Sequence, residues 1–332
     1  MMADRTLIAV ADSVQLHREA EGPAGGPETR EHLRQAVDYY TSHYGRYAPS
    51  VLADEIHRVR RLIVDMLTVS QRERDRTELR RLAGWLSALL GNLAFHRADY
   101  AGAHTPLGAA CGLGTSIGED RLTGWSLGAR SMVAGFEHRP ADALSLAGQA
   151  HEYATTSLHT AQITAWCELR ALAALGRRAD ATAAATRAQQ AMDSAADEPG
   201  RFGFDRAELH QHLAESVLRL GDTRQAASHA DAARSLKTTG SGGWAAAIVI
   251  RARAAAADRA PSDANALAAL VLDTVPPDHL RETTRQRLIA LDQDLQAQRW
   301  PGTDASELRE RLRALPAHLP VRRSSPEPNG DD

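Results

Sequence analysis

The stretch WLSALLGNLAFHRADYAGAHTPLGAA, residues 85–110, decides the fold of this chain. An apolar run ends near Phe95, a short polar segment follows, and small or apolar residues then stand at Ala103, Leu107 and Ala110. Because residues four and seven positions apart lie on one face of a helix, this spacing predicts a helix with a narrow apolar face. The stretch therefore predicts two helices that pack closely as a hairpin.

The same spacing returns four times downstream. The later sets are Ala143, Ala147 and Ala150; Ala181, Ala185 and Ala188; Ala226, Ala230 and Ala233; and Ala264, Ala268 and Val271. Successive sets begin 40, 38, 45 and 38 residues apart, which is the length of one supersecondary unit. The first helices of the hairpins are expected at residues 77–96, 120–136, 160–175, 204–220 and 244–257. The repeat predicts an all-α, right-handed solenoid of about five to seven helical hairpins.

The segments that flank the repeats suggest the domain boundaries. Residues 21–29, EGPAGGPET, form a Gly/Pro break, and residues 279–298 and 305–315 predict capping helices after the last hairpin. The proline-rich end has no apolar period, which is typical of disorder. The expected organisation is an N-terminal segment and linker at 1–27, a repeat domain at 28–315 and a disordered tail at 316–332.

Composition excludes several classes of protein. Lys and Arg together number 39 against 42 Asp and Glu, and this balance argues against direct binding to nucleic acid. Cys111 and Cys167 cannot build a disulfide framework or a four-sulfur metal site, which favours a cytoplasmic protein. No stretch reaches the roughly 20 apolar residues that a membrane span needs. We expect no membrane contact, no metal and no cofactor.

Two resemblances sharpen the prediction. Leu90 and Gly91 followed by Ala103, Leu107 and Ala110 resemble a tetratricopeptide repeat, although the period here is longer than the usual length of about 34 residues. Three longer strings resemble the C-terminal repeat region of actinobacterial helix-turn-helix regulators of the Xre type: WLSALLGNLAFHRADYAGA at 85–103, GWSLGARSMVAGFEHRPADALSLA at 124–147 and FGFDRAELHQHLAESVLRLGD at 202–222.

The second resemblance covers roughly residues 30–315 and carries expectations of its own. It implies repeats that sense a signal or mediate dimers, so a homodimer is expected. In such regulators a DNA-reading domain of about 60 residues precedes the repeats, whereas residues 1–29 are too short to hold a helix-turn-helix. The resemblance therefore implies the repeat region without the DNA-binding domain.

The concave face of such a solenoid is lined by the first helices, so the register predicts a ligand site. The inward-facing positions are aromatic toward the N-terminus and charged toward the C-terminus, which suits a peptide or small molecule with an apolar body and a polar end. A protein partner in the same groove is an alternative. The candidate binding residues are Trp85, Asn92, His96, Trp125, Arg130, Met132, Phe136, Trp166, Arg170, Glu208, Glu215 and Arg253, and Gln211 also faces inward.

Catalytic patterns are weak by comparison. Residues 124–128 spell G-x-S-x-G, but the serine lies in a helical segment without the strand that a nucleophile elbow requires. Glu208, His212 and Glu215 share one helix face, yet one face rarely encloses a metal without ligands from a second helix. If the protein is an enzyme, these three residues and His96 are the candidate acids and bases.

Three functions remain open from the sequence. The first is a regulatory protein that senses a peptide or small molecule and is linked to transcription or secondary metabolism. The second is an enzyme of natural-product metabolism built on a regulator-like scaffold. The third is a scaffold that contacts a separate DNA-binding regulator.

Overall fold

The computed structural model describes residues 2–297 and 304–315, with side chains described for 10–297 and 306–315. This part of the chain is built from helices and contains no strand. The first helices are α1 (Met2–Glu21), α2 (Pro27–Ser42), α3 (Pro49–Leu67), α4 (Glu73–His96), α5 (Tyr100–Ile117), α6 (Asp120–Phe136) and α7 (Pro140–His151). Next, α8 (Ser157–Ile163) runs through a π-helical turn (Thr164–Glu168) into α9 (Leu169–Ala174). The last are α10 (Arg178–Asp193), α11 (Arg206–Arg219), α12 (Thr223–Ser235), α13 (Gly242–Ala257), α14 (Pro261–Thr274), α15 (Glu282–Ala297) and α16 (Asp304–Ala314).

Consecutive helices pack as hairpins, and each hairpin packs on the next. Helix α4 contacts α5, α6 contacts α7, α11 contacts α12 and α13 contacts α14, while α5 to α6 and α12 to α13 join successive pairs. The fold is a tetratricopeptide-like α-solenoid. The prediction of an all-α hairpin solenoid is confirmed, and each predicted first helix matches an observed helix to within a few residues.

Small residues make the close packing within each hairpin possible. Ala103, Leu107 and Ala110 are completely buried against α4. A Cβ at Gly91 would lie 2.5 Å from Leu107 Cγ, so only glycine lets the two helices approach this closely. In the third set Ala184 is completely buried and Ala185 only partly, so that helix is rotated slightly from the predicted register.

The solenoid closes on itself through α15. This helix packs against α13 and α16 and also reaches α4, near the other end of the chain. Tyr100 donates a hydrogen bond from its hydroxyl to Gln286 Oε1 at 2.9 Å, and His96 Nδ1 lies 3.3 Å from Thr283 Oγ1. The two ends of the repeat array therefore surround a common centre.

The segment between α10 and α11 crosses the concave face, and we name residues 198–204 the crossing loop. Phe202 packs between two tryptophans, with ring centroids 4.3 Å from Trp85 and 4.8 Å from Trp125. Gln162 Nε2 donates to the carbonyls of Phe202 and Gly203 at 3.4 and 2.9 Å. The loop thus fills part of the groove that the sequence left open.

Helix α1 and the C-terminal residues flank the repeats. Residues 1–27 contain α1, which packs against α2 and α3 and buries Ala11 and Val14. The expected tail at 316–332 lies outside the described residues. Among the helices that are described, none combines the length and the apolar character needed to cross a membrane.

Candidate functional site

A cavity of about 260 Å³ lies at the centre of the closed solenoid. Its wall is made by the end of α2, by α4, α6, the π-helical turn, the crossing loop, α11, α13 and α15. The volume is close to the lower end of the range for small-molecule sites, about 300 Å³. The cavity is therefore large enough for part or all of a small ligand.

One side of this cavity holds two arginines joined by a carboxylate. Arg170 of α9 donates to both oxygens of Glu215 at 2.5 and 3.0 Å, and Arg287 of α15 donates to Glu215 Oε2 at 2.7 Å. All three side chains are between 11% and 16% exposed, so the network is largely shielded from water. Burial raises the pKa of Glu215, but the two guanidinium groups outweigh it and hold that pKa well below its usual range. We name Arg170 and Arg287 the bridged pair.

The other side holds two arginines that no carboxylate joins, and we name them the unbridged pair. Arg201 of the crossing loop and Arg281, just before α15, lie over the ring of Tyr44, with Cζ atoms 5.5 and 5.3 Å from its centroid. In the described part of the chain Arg281 has no carboxylate within 4.0 Å, and Arg201 has only Glu208 Oε1 at 4.0 Å. Arg201 Nε is buried without a hydrogen-bond partner. Burial lowers the pKa of Arg281, and the neighbouring Arg201 lowers it further.

Local backbone features place the unbridged pair. Gly242, at the start of α13, leaves room for Arg281, because a Cβ there would lie 2.8 Å from Arg281 Nε. The backbone amide of Arg201 donates to the carbonyl of Thr41 at 3.2 Å, which ties the crossing loop to the end of α2. Both guanidinium groups are therefore held beside Tyr44 by the fold rather than by an acidic partner.

Two buried histidines beside the cavity, His96 and His212, have lowered pKa values. Burial lowers the pKa of His96 well below its usual value, and Arg281, Arg201 and Arg287 lower it further. His212 is affected in the same direction, by burial first and then by Arg170, although Glu215 opposes the shift. Both imidazoles are therefore neutral near pH 7. Arg281 Nη1 lies 3.5 Å from His96 Nε2, which accepts its proton if His96 donates through Nδ1 to Thr283.

An apolar wall accompanies these charges. Trp166 lies in the π-helical turn, a local widening of the helix that often occurs at functional sites. It lines the cavity together with Met132 and Phe136, and Arg170 and Arg287 each lie 5.8 Å from the centroid of the Phe136 ring. The cavity therefore combines aromatic surface with cationic groups.

The structure brings many of the candidate residues together. The ones that line the cavity are Asn92, His96, Met132, Phe136, Trp166, Arg170, Glu208, Gln211 and His212. Glu215 lines an adjacent cavity of about 210 Å³, to which Arg253 also contributes while it pairs with Asp294 at 3.1 Å.

The remaining candidates lie elsewhere. Trp85 and Trp125 are 6% and 3% exposed and contact Phe202 of the crossing loop, so neither lines the central cavity. Arg130 is partly buried in α6 and lies outside the central cavity as well. The part of the expected aromatic groove around Trp85 and Trp125 is thus covered by the chain itself.

The sequence interpretation missed much of the cationic wall. Tyr44, Arg201, Arg281, Thr283 and Arg287 come from segments read as a helix end, a loop and a capping helix. A signal existed for the loop: residues 199–204 read PGRFGF, and two aromatic residues among glycines in a linker indicate a segment that packs inward. Nothing in the sequence indicated that the capping helix returns to α4.

The structure also locates the weaker chemical patterns. Residues 124–128 lie inside α6 and Ser126 is completely buried, so this serine has no access to a substrate. The Cys167 thiol donates to the carbonyl of Gly128 at 3.4 Å, and burial raises its pKa. Among the described residues no three His, Cys, Asp or Glu side chains are placed to hold a metal ion.

Comparisons with known proteins add little to this geometry. No protein-family model matches the sequence, and no curated protein matches it. Among solved structures, the crystal structure of yeast Tom70 is similar, with a TM-score of 0.46 and 12% sequence identity over 94% of this chain. The match covers 63% of the Tom70 chain, so this chain spans less than two thirds of that structure. The description of the fold rests on the hairpins of this chain.

Proposed function

We propose that this protein is a regulatory repeat protein that senses a small molecule or a peptide in its central cavity. One observation carries the proposal: the cavity wall is made by residues from both ends of the solenoid, such as Tyr44 and His96 from one end and Arg281 and Arg287 from the other. A ligand that contacts both ends stabilises the closed arrangement over any more open one. Binding inside can therefore alter the outer surface that a partner contacts.

The output of this sensor is proposed on separate grounds. The resemblance to the repeat regions of Xre-type regulators supports a link to transcription or to the control of secondary metabolism. Because Lys and Arg number 39 against 42 Asp and Glu, the proposed output passes through a protein partner and not through contact of these repeats with DNA. A homodimer is one form that such a partner can take.

The proposal is tested by filling the cavity. Gln211 lines it, and Gln211→Trp puts an indole into the space that a ligand needs. Gln225→Trp, the same substitution at an exposed position of α12, is the matched control. The full-length protein and both variants are incubated with a cell extract from the source organism and measured by native mass spectrometry.

We expect a reproducible added mass on the wild-type protein and on Gln225→Trp, and none on Gln211→Trp. An added mass that survives Gln211→Trp, or none on the wild-type protein, would contradict the proposal. If the added mass is that of a macromolecule, the scaffold alternative replaces it.

A second candidate function is catalysis on the captured ligand. The observation in its favour is Glu208, which lines the cavity and whose pKa is raised by burial. A carboxyl group of this kind can act as a general acid or base. The enzyme alternative predicts that the bound species is converted on incubation and that Glu208→Gln abolishes conversion while leaving the added mass in place.

A further inference from the structure

The cavity wall carries more positive charge than its own carboxylates neutralise. Lys237 is paired with Asp205 at 2.8 Å, and Glu215 lies between Arg170 and Arg287. Arg201 and Arg281 remain, with Glu208 Oε1 no nearer than 4.0 Å to Arg201. Excess positive charge is therefore present at both pairs, and among the described residues only the unbridged pair has no carboxylate that contacts both of its arginines.

The described residues give the unbridged pair few acceptors, of which His96 Nε2 lies 3.5 Å from Arg281 Nη1. Both guanidinium groups lie over the ring of Tyr44, whose hydroxyl donates to Asn92 Oδ1 at 2.5 Å. Arg201 Nε is buried and has no partner. A buried donor without an acceptor is costly, and charged donors more so, unless a ligand supplies the acceptor. In this protein the unpartnered donor, Arg201 Nε, belongs to a residue at the cavity wall, where a bound ligand can supply the acceptor.

The bridged pair shows what the missing acceptor would be. There the carboxylate of Glu215 accepts from two guanidinium groups at once, with donor–acceptor distances of 2.5 to 3.0 Å. Paired oxygens on a carboxylate or a phosphate match the forked donors of arginine better than any neutral group. A ligand oxyanion between Arg201 and Arg281 would complete the second site in the way Glu215 completes the first.

We propose that Arg201 and Arg281 bind an oxyanion of the ligand, a carboxylate or a phosphate, and that Trp166 and Phe136 contact its apolar part. This inference rests on the proposed function, since it names the chemical class of the sensed ligand. The aromatic wall and the two arginines line the same cavity, so one molecule with an apolar body and a single anionic end can reach both.

The experiment compares four probes by titration calorimetry on the full chain. Phenylacetate and phenyl phosphate carry an aromatic ring and an oxyanion, phenylacetamide is the uncharged counterpart, and inorganic phosphate has the oxyanion without the ring. We expect the two aromatic anions to bind at least about tenfold more tightly than phenylacetamide. The tighter of the two aromatic anions identifies a carboxylate or a phosphate as the preferred group.

Variants assign the effect to the unbridged pair. Arg281→Gln should weaken the aromatic anions by about tenfold or more and leave phenylacetamide unchanged, while Arg224→Gln, the same substitution at an exposed residue of α12, should have no effect. Gly45→Asp gives a second route that keeps both arginines, because a Cβ at Gly45 would lie 3.9 Å from Arg281 Nη2. Its carboxylate should occupy the anion position and abolish anion binding, whereas Gly45→Asn should not.

The outcomes separate this inference from the proposed function. Equal binding of phenylacetate and phenylacetamide, unchanged anion binding in Arg281→Gln and Gly45→Asp, or no binding of any anion at millimolar concentration would overturn the inference. In each of these cases the proposed function stands if Gln211→Trp still abolishes the mass gained from the extract. If that mass persists in Gln211→Trp, the ligand lies elsewhere and both proposals fail.

Discussion

The two arginine pairs of the cavity face similar aromatic surroundings and differ in one group. Arg170 and Arg287 lie over Phe136 and share the carboxylate of Glu215, whereas Arg201 and Arg281 lie over Tyr44 and share none within 4.0 Å. The first pair is joined by a carboxylate of the chain itself, which links α9, α11 and α15, although Arg287 Nε is buried without a hydrogen-bond partner. The second pair is complete only when something else supplies an anion. A structural ion network and a candidate binding site thus differ here by a single side chain.

The largest expected effect is the loss of the bridging carboxylate. Glu215→Gln removes the negative charge and leaves Arg170 and Arg287 facing each other in a largely buried position. Removing one partner from a buried ion pair costs about 3 to 5 kcal/mol, so the free energy of unfolding should fall by about that amount. Urea denaturation of the wild-type protein and the variant measures it.

The control for this prediction is an exposed ion pair. Glu73 pairs with Arg80 at 3.3 Å and is 76% exposed, so Glu73→Gln should change the free energy of unfolding by less than about 0.5 kcal/mol. If Glu215→Gln were as mild as the control, the bridged pair would not stabilise the fold.

A smaller effect is expected from the two histidines that lie beside the pairs. The pKa of His96 and of His212 is lowered in the folded protein, so below about pH 6.5 the unfolded chain binds protons that the folded chain does not. Stability from these groups is complete above that pH and is lost as the pH falls. Between about pH 7 and about pH 5.5 the two residues together should cost about 2 kcal/mol.

The measurement is the free energy of unfolding at both pH values in the wild-type protein and in a His96→Gln, His212→Gln double variant. The double variant should lose most of this pH dependence, while the other histidines contribute equally to both proteins. An unchanged pH dependence would mean that burial and the nearby arginines do not keep these imidazoles neutral in the folded protein. Saturation with a binding anion should raise the pKa of His96 more than that of His212, because His96 lies beside the unbridged pair.

A carboxylate placed beside the unbridged pair should give it the anionic partner that the bridged pair has in Glu215. In Gly45→Asp the new side chain lies within reach of Arg281, and a hydrogen bond to a charged group offsets part of the cost of the buried cation. We expect the free energy of unfolding to rise by about 1 kcal/mol relative to Gly45→Asn. A decrease in thermal denaturation experiments would show that the unbridged pair does not lack an anion.

The smallest effect on stability is expected at Arg281. Because it has no carboxylate partner in the described part of the chain and lies near Arg201, Arg281→Gln should leave the free energy of unfolding within about 0.5 kcal/mol of the wild-type value or raise it slightly. Arg287→Gln, which breaks the bridged network, should lower it clearly. A similar loss in both variants would indicate that both pairs are structural.

The helical hairpins could be predicted because the information that specifies them is local. Residues four and seven apart determine the packing face of a helix, and the alanine sets therefore located the hairpins and their first helices. Of the candidates with the inward register, His96, Trp166, Arg170 and Glu208 line the cavity.

The rest of the site could not be predicted because it depends on contacts between distant segments. Phe202 covers Trp85 and Trp125 through a loop whose course is fixed by hydrogen bonds from Gln162, 40 residues away along the chain. Arg281 reaches Tyr44 only because the solenoid closes, and no periodicity records the curvature of a repeat array. Arg201, Arg281 and Arg287 are therefore the arginines that the sequence patterns did not indicate, whereas Arg170 and Glu215 were among the candidates.

The contact between α15 and α4 also sets an order of events during folding. The hairpins form from neighbouring segments, whereas His96 and Thr283 are separated by 187 residues and can meet only after the intervening repeats have folded. We therefore expect the cavity to be assembled after the hairpins and to be lost early when either end frays. A ligand that binds in the cavity contacts both ends of the solenoid. Its largest expected effect is to slow the separation of α15 from α4.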